Sequence, residues 1–184
     1  MAAPGQRHRI GSDRGRLILR TSRQGLAAQA GHDLKIEVTR WSGEIILAGD
    51  PAASALTVTL ETGSLRVLSG TGGVASLSER DKREIAHTAR GLLDADRQPE
   101  ATFVSTKITV SGDGGLIDGT LRLRGKEHPV QLDVTRLADT KYRATATVVQ
   151  SEFGIKPYTV FFGALQLADP VTVEAEVDLS GREP

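Results

Sequence analysis

The sequence predicts an all-β domain with one amphipathic helix, its strands forming an eight-stranded antiparallel up-and-down barrel. Three observations carry this prediction. Apolar and polar residues alternate through most of the chain, the mark of antiparallel strands with one face on a core. Short turn sequences join neighbouring runs as in a meander, and meandering strands can close on themselves and so remove their edges. A single segment leaves the period of two and takes up helical spacing.

The elements follow in order along the chain. Residues 1–14 are polar, with Pro4, Gly5 and Gly11, and read as a flexible arm ahead of a single domain over residues 15–180. The tail from Gly181 reads the same way. A first strand covers residues 16–22. In the second, Leu34, Ile36 and Val38 oppose Lys35, Glu37 and Thr39, and the apolar phase then slips to Trp41, Gly43 and Ile45. One extra residue near Thr39 and Arg40 accounts for the slip and predicts a bulge or sharp bend there. Leu56, Val58 and Leu60 alternate with threonines. Residues 69–73, Ser-Gly-Thr-Gly-Gly, read as a flexible loop. Ser78-Glu79-Arg80-Asp81 fits a capping box with Asp in place of Glu. Ile85, Ala89, Leu92 and Leu93 then fall on one helical face, predicting a helix over 79–92 whose apolar stripe covers a barrel mouth or wall.

Strand signals resume at residues 101–110. They continue through Ile117, Gly119, Leu121 and Leu123, then Val130, Leu132 and Val134, then Tyr142, Ala144, Ala146 and Val148. Turns fall at residues 112–115, 125–128 and 138–140. The last strand carries Val171, Val173, Ala175, Val177 and Leu179 on one face. Between the last two strands, residues 151–170 are irregular and hold four of the seven aromatics: Phe153, Tyr158, Phe161 and Phe162. Such a connection is either a lid or mouth-lining loop, or a plug in the open end of a barrel.

Composition narrows the function classes. Lys and Arg together equal Asp and Glu at 23 each, so the formal net charge is zero, and the arginines are scattered. That speaks against nucleic acid as a partner. The absence of cysteine excludes disulfides, zinc–thiolate sites and thiol nucleophiles. The first nine residues hold no apolar stretch of the secretory kind, and no run approaches the roughly 18 apolar residues of a membrane span. A cytoplasmic protein without stable membrane insertion is the expectation.

No catalytic motif and no metal-ligand spacing survives inspection, and no cofactor is expected. His8, His32, His87 and His128 form no metal pattern. His32 shares the inward parity of Leu34, Ile36 and Val38 at a strand start. It is read either as a hydrogen-bonded rim histidine or as a contact to a ligand head group, with acid–base chemistry on an apolar substrate as the alternative. Gln150 continues the inward parity of Val148, which places its amide either in the interior or at an exposed strand end. The inward positions are mostly small and aliphatic, with Gly119, Ala144, Ala146 and Ala175 among them. An eight-stranded barrel is near the size at which side chains either fill the interior or leave room for one ligand. An apolar cavity suits an apolar ligand such as a prenyl or acyl chain. A barrel closed over small residues, serving as a structural or interaction domain, is the remaining alternative.

Several pieces in order resemble one family. They are Gly31-His32-Asp33-Leu34, Trp41-Ser42-Gly43-Glu44-Ile45, Ser64-Leu65-Arg66-Val67, and the charged helix ending Leu92-Leu93-Asp94. Pro99-Glu100-Ala101-Thr102-Phe103 follows, then Ile117-Asp118-Gly119-Thr120-Leu121, then Ser151-Glu152-Phe153-Gly154-Ile155. Over roughly residues 15–180 they resemble the YceI-like family, the polyisoprenoid-binding or lipid-binding barrels. The resemblance implies a lipocalin-like barrel that holds an isoprenoid or other long-chain lipid without catalysis. It implies a ligand-binding set of His32, Asp33, Leu34, Ile36, Trp41, Phe103, Gln150, Phe153, Ile155, Tyr158, Phe161 and Phe162, with His32 and Asp33 near the mouth. Many family members carry Arg where Gln150 stands, so a pyrophosphate contact loses its charge here. The resemblance also allows a homodimer, which no exposed apolar stripe in the sequence calls for.

Overall fold

The computed structural model describes residues 5–180, so the first four residues of the expected arm and the tail from Gly181 lie outside the described residues. In chain order the elements are β1 (Gln6–Gly11), β2 (Gly15–Arg20), β3 (Arg23–Gln24), β4 (His32–Val38), β5 (Trp41–Leu47), β6 (Ala55–Glu61) and β7 (Leu65–Gly72). Helix α1 (Glu79–Leu92) follows, then β8 (Glu100–Ser111), β9 (Gly114–Leu123), β10 (Lys126–Arg136) and β11 (Lys141–Val149). The short strands β12 (Thr159–Val160) and β13 (Leu165–Leu167) precede β14 (Pro170–Asp178).

The longer strands make eight staves. β1 and β2 are halves of one run, paired antiparallel along the run formed by β4 and β5. β6 and β7 form a third broken run, with β6 on β5 and β7 on β4. The staves β8, β9, β10, β11 and β14 then pair with their neighbours in sequence. β8 joins β6 and β14 joins β2, so the ring closes. Each broken stave bends where it changes partner. At Thr39 and Arg40 the predicted phase slip is a gap between β4 and β5. There Thr39 N–H donates to the Ser64 carbonyl at 2.8 Å and Arg40 N–H donates to Ser64 Oγ at 3.1 Å. Ser64 and Thr62 are buried at this bend, and both hydroxyls donate to backbone carbonyls.

Two local expectations fail. Residues 6–11 are not an arm: β1 pairs from Gln6↔Leu47 to Gly11↔Ser42, with His8 and Ile10 buried. Only two inward side chains mark this strand, too few for the alternation to register. The Ser-Gly-Thr-Gly segment is not a loop either. It continues β7 as far as Gly72, because β4 offers it a partner up to His32↔Gly72.

Helix α1 replaces a strand. β7 ends the sheet with no strand on its far side, and α1 lies along it. Ser78 caps the helix, accepting from Asp81 N–H at 3.2 Å while Asp81 Oδ2 accepts from Ser78 N–H at 2.8 Å. Leu77, Ile85 and Ala86 pack on Leu34, Ile36 and Val67; Leu92 and Leu93 pack on Ala101, Leu123, Phe153 and Ile155. The helix thus bridges two sides of the barrel that no strand connects.

The outer face carries a band of alternating charge. Glu37 on β4 is buried and accepts from Arg66 on β7 and from Arg16 on β2, the latter at 3.1 Å. Arg16 is register partner to Glu176 on β14, which accepts from Arg143 on β11. Burial alone would push the Glu37 carboxyl up, but the hydrogen bonds and charges of Arg66 and Arg16 outweigh it and hold it below the usual carboxylate range. A lowered folded pKa stabilises above the unfolded value, and that stability is lost as pH falls through the folded value. Glu37→Gln is therefore expected to cost about 1–3 kcal/mol at neutral pH, with the gap to the parent closing in acid. Urea unfolding at the two pH values checks this; an equal gap at both would refute it.

Candidate functional site

Alternation puts one side chain in two inside the barrel, and here most of those are Leu, Ile, Val and Ala. They leave a cavity of about 950 Å³ running between the barrel's two ends. That is near the top of the range of roughly 300–1,000 Å³ for small-molecule pockets. Leu17, Leu19, Leu34, Ile36, Val38, Ile117, Leu132, Ala144, Ala146, Val173 and Ala175 line it. Trp41 and Phe103 are its buried aromatic walls. Gly119 on β9 makes room for Phe103, since a side chain there would overlap the Phe103 ring.

The polar groups gather at one end, where β4 starts, β7 and β11 finish, and α1 begins. His32 lines this mouth, its ring packed against Gly73 and its Nε2 2.7 Å from the Ala75 carbonyl. Gly73 has φ of 73°, and its missing side chain is the space the His32 ring occupies. Asp81 and Glu84 of α1 line the same mouth. The Ser78 hydroxyl and N–H, with a smaller contribution from His32, hold Asp81 below the usual carboxylate range. Gln150 lines the mouth with its amide donating to the Ala168 carbonyl at 3.0 Å. Both residues line the mouth, and each is tied to backbone. The opposite end is formed by the β8–β9 and β10–β11 turns, where Arg136 and Asp113 approach to 3.7 Å.

Of the sequence-predicted set, the cavity brings together His32, Leu34, Ile36, Trp41, Phe103, Gln150, Ile155 and Tyr158. The other four lie elsewhere. Asp33 points away from the cavity and accepts from Arg23 N–H at 2.8 Å. Phe153 is 1% exposed and sits behind the wall with Ala101, Leu123 and Ile155, its ring edge-on to His128 at 5.1 Å. Phe161 and Phe162 stand outside in solvent. Of the four clustered aromatics, Tyr158 alone lines the mouth. His128 was expected in a turn, but that turn is only Arg124 and Gly125, both with positive φ, and His128 lies in β10 facing Phe153.

Sequence reasoning missed Arg23. It lines the polar mouth, donates to the Gly31 carbonyl and lies 3.8 Å from Asp33. It sits in a two-residue strand, so no periodicity points to it. Residues 151–170 are mostly turns, as expected of a mouth-lining connection, but hold two short strands. β12 and β13 pair with each other and β13 pairs with β3, making a small three-stranded flap at the polar mouth.

Chemically, such a site holds an apolar chain along its length and offers donors and acceptors at its ends, most of them at the mouth with His32, Arg23 and Gln150. Among the described residues no group of three or more His, Asp or Glu could hold a metal ion. No helix among them is long and apolar enough to cross a membrane.

Comparison with known proteins agrees with this architecture. A family model described as YceI-like domain matches residues 20–179. A UPF0312 protein of Pseudomonas savastanoi pv. phaseolicola is 32% identical over 127 residues, which is 63% of this chain and 60% of that protein. The chain thus spans about 60% of the length of the curated relatives it matches. Among solved structures, Burkholderia cenocepacia BcnA superposes with a TM-score of 0.63 at 18% identity, covering 89% of this chain and 94% of that one. A polyisoprenoid binding domain from Saccharophagus degradans superposes with a TM-score of 0.53 at 14% identity, covering 92% and 98%.

Proposed function

Since the chain belongs to the YceI-like family, we propose that it is a non-enzymatic carrier that holds an isoprenoid or other long-chain lipid inside the barrel. The Saccharophagus degradans domain that shares this fold is a polyisoprenoid binding one, which supports the reading. The observation that carries the reading is the cavity of about 950 Å³, with an aliphatic lining along its length and polar groups at its ends. A barrel packed solid by its own side chains would have no such space. An apolar chain gains by leaving water for this lining, at about 25 cal/mol per Å² of apolar surface buried. A polar head group is then left at the mouth beside Arg23, His32 and Gln150.

The test is native purification followed by organic extraction and mass spectrometry, with loading of a long-chain prenol or fatty acid as the second arm. A long-chain lipid recovered or loaded in stoichiometric amount is expected. Failure of both arms would sink the proposal.

A further inference from the structure

The flap at the polar mouth ends in an unusual tip. Phe161 and Phe162 follow one another with φ of 52° and 54°, the left-handed region that large side chains avoid. Such a backbone conformation is strained for any residue with a side chain and carries a cost in stability. Neither recovers that cost by burial: Phe161 is 65% exposed and Phe162 fully so. Leu26 stands beside them, also fully exposed, because Ala27 N–H donates to the Ala164 carbonyl at 2.8 Å and so ties the two loops together. The other side of the same flap, through Tyr158, Val160, Leu165 and Leu167, lines the cavity. Strain and exposed apolar surface therefore coincide at one place, the rim through which an apolar ligand would pass.

The charges of the rim segments agree in sign. Residues 22–32 hold Arg23 and no carboxylate, and residues 155–168 hold Lys156 and no carboxylate. The two loops that carry the tip therefore bring no carboxylate of their own to lipid phosphates; Arg23 is paired with Asp33, Lys156 is the second cation, and the carboxylates Asp81 and Glu84 of the mouth belong to α1.

We propose that Leu26, Phe161 and Phe162 form a tip that docks on a lipid bilayer, seating the polar mouth against the membrane surface so that ligand moves between bilayer and cavity. The tip inserts only to the depth of its three side chains, as interfacial aromatic and leucine residues do. Binding is therefore shallow and reversible, compatible with a chain of zero net charge. The inference rests on the carrier reading for its purpose but not for its test.

The experiment is flotation of the full chain with vesicles of phosphatidylcholine containing a minor share of phosphatidylglycerol. The parent is expected to float with the vesicles. The triple variant Leu26→Ser, Phe161→Ser, Phe162→Ser is expected to partition about tenfold less. The single variant Phe162→Ser should fall between them. Val104→Ser, which removes an exposed apolar side chain on the barrel's outer face, should float like the parent. Thermal melting of the triple variant should stay close to the parent, since Leu26 and Phe162 are fully exposed and Phe161 mostly so. A parent that stays in solution, or a triple variant that floats equally well, overturns the proposal. So does a triple variant that changes only from dimer to monomer, which would make the tip a contact between copies. Titration of a soluble fluorescent fatty acid keeps the two readings apart: if nothing enters the cavity, the carrier reading fails while flotation still decides the docking.

Discussion

Ala146→Phe is expected to remove most of the affinity for a long-chain ligand and leave the fold intact. Ala146 lies in β11 with its side chain on the cavity wall, opposite Val173 in register. A ring placed there projects into space the ligand would use. At about 1.4 kcal/mol per tenfold, displacing two or three methylenes at about 0.8 kcal/mol each lowers affinity by roughly ten- to a hundredfold. Stability should hold or rise, because the ring fills a void rather than forcing packed side chains apart. Titration with a fluorescent fatty acid and a thermal melt measure the two effects separately. Unchanged affinity in a folded variant would mean that ligand does not occupy the barrel centre.

Phe153→Ala is expected to do the reverse and cost about 3–5 kcal/mol of stability. Phe153 is the largest side chain buried below 2% exposure. It locks the short turn after β11 against the ends of β8 and β9, beneath Leu92 and Leu93 of α1. Truncation leaves a hole where four elements meet, and none of them can move in alone to fill it. Phe153→Leu retains most of the volume and should cost less than half as much. Urea unfolding decides the matter, and a loss below about 1 kcal/mol for the alanine variant would show that the site collapses freely.

The contrast between these residues shows what the sequence could reveal. Period two reports which face of a strand a side chain occupies, so His32, Leu34, Ile36, Ala144 and Ala146 were all legible as inward. It also exposed the bend at Thr39 and Arg40, because a bend inside one stave flips the parity. The capping box and the spacing of Ile85, Ala89, Leu92 and Leu93 gave α1 its observed limits. The flap was not legible. Its strands β3, β12 and β13 hold two or three residues each, and the pairing of β13 with β3 joins segments far apart in the chain, Gln166 with Gln24. Composition showed that the aromatics cluster in residues 151–170 but not that they divide among three environments. Phe153 is buried behind the wall, Tyr158 lies on the rim and Phe161 and Phe162 are in water. That division is set by the turn at Gly154 and the left-handed pair, which periodicity does not register.

The closing of the ring has a kinetic consequence. Each stave pairs with its neighbour in sequence, so most of the sheet can grow stave by stave, with β7 and α1 looped out between β6 and β8 and the flap looped out between β11 and β14. The exception is the seam between β2 and β14, which joins Leu17 to Ala175 and thus the two ends of the chain. Loop-closure entropy grows by only about 0.6 kcal/mol per doubling of length, but no local contact prepares this pairing. The seam is therefore the step most sensitive to chain connectivity. A circular permutation that links the native ends and cuts the β10–β11 turn would turn the seam into a local hairpin and move the slow closure to the opposite wall.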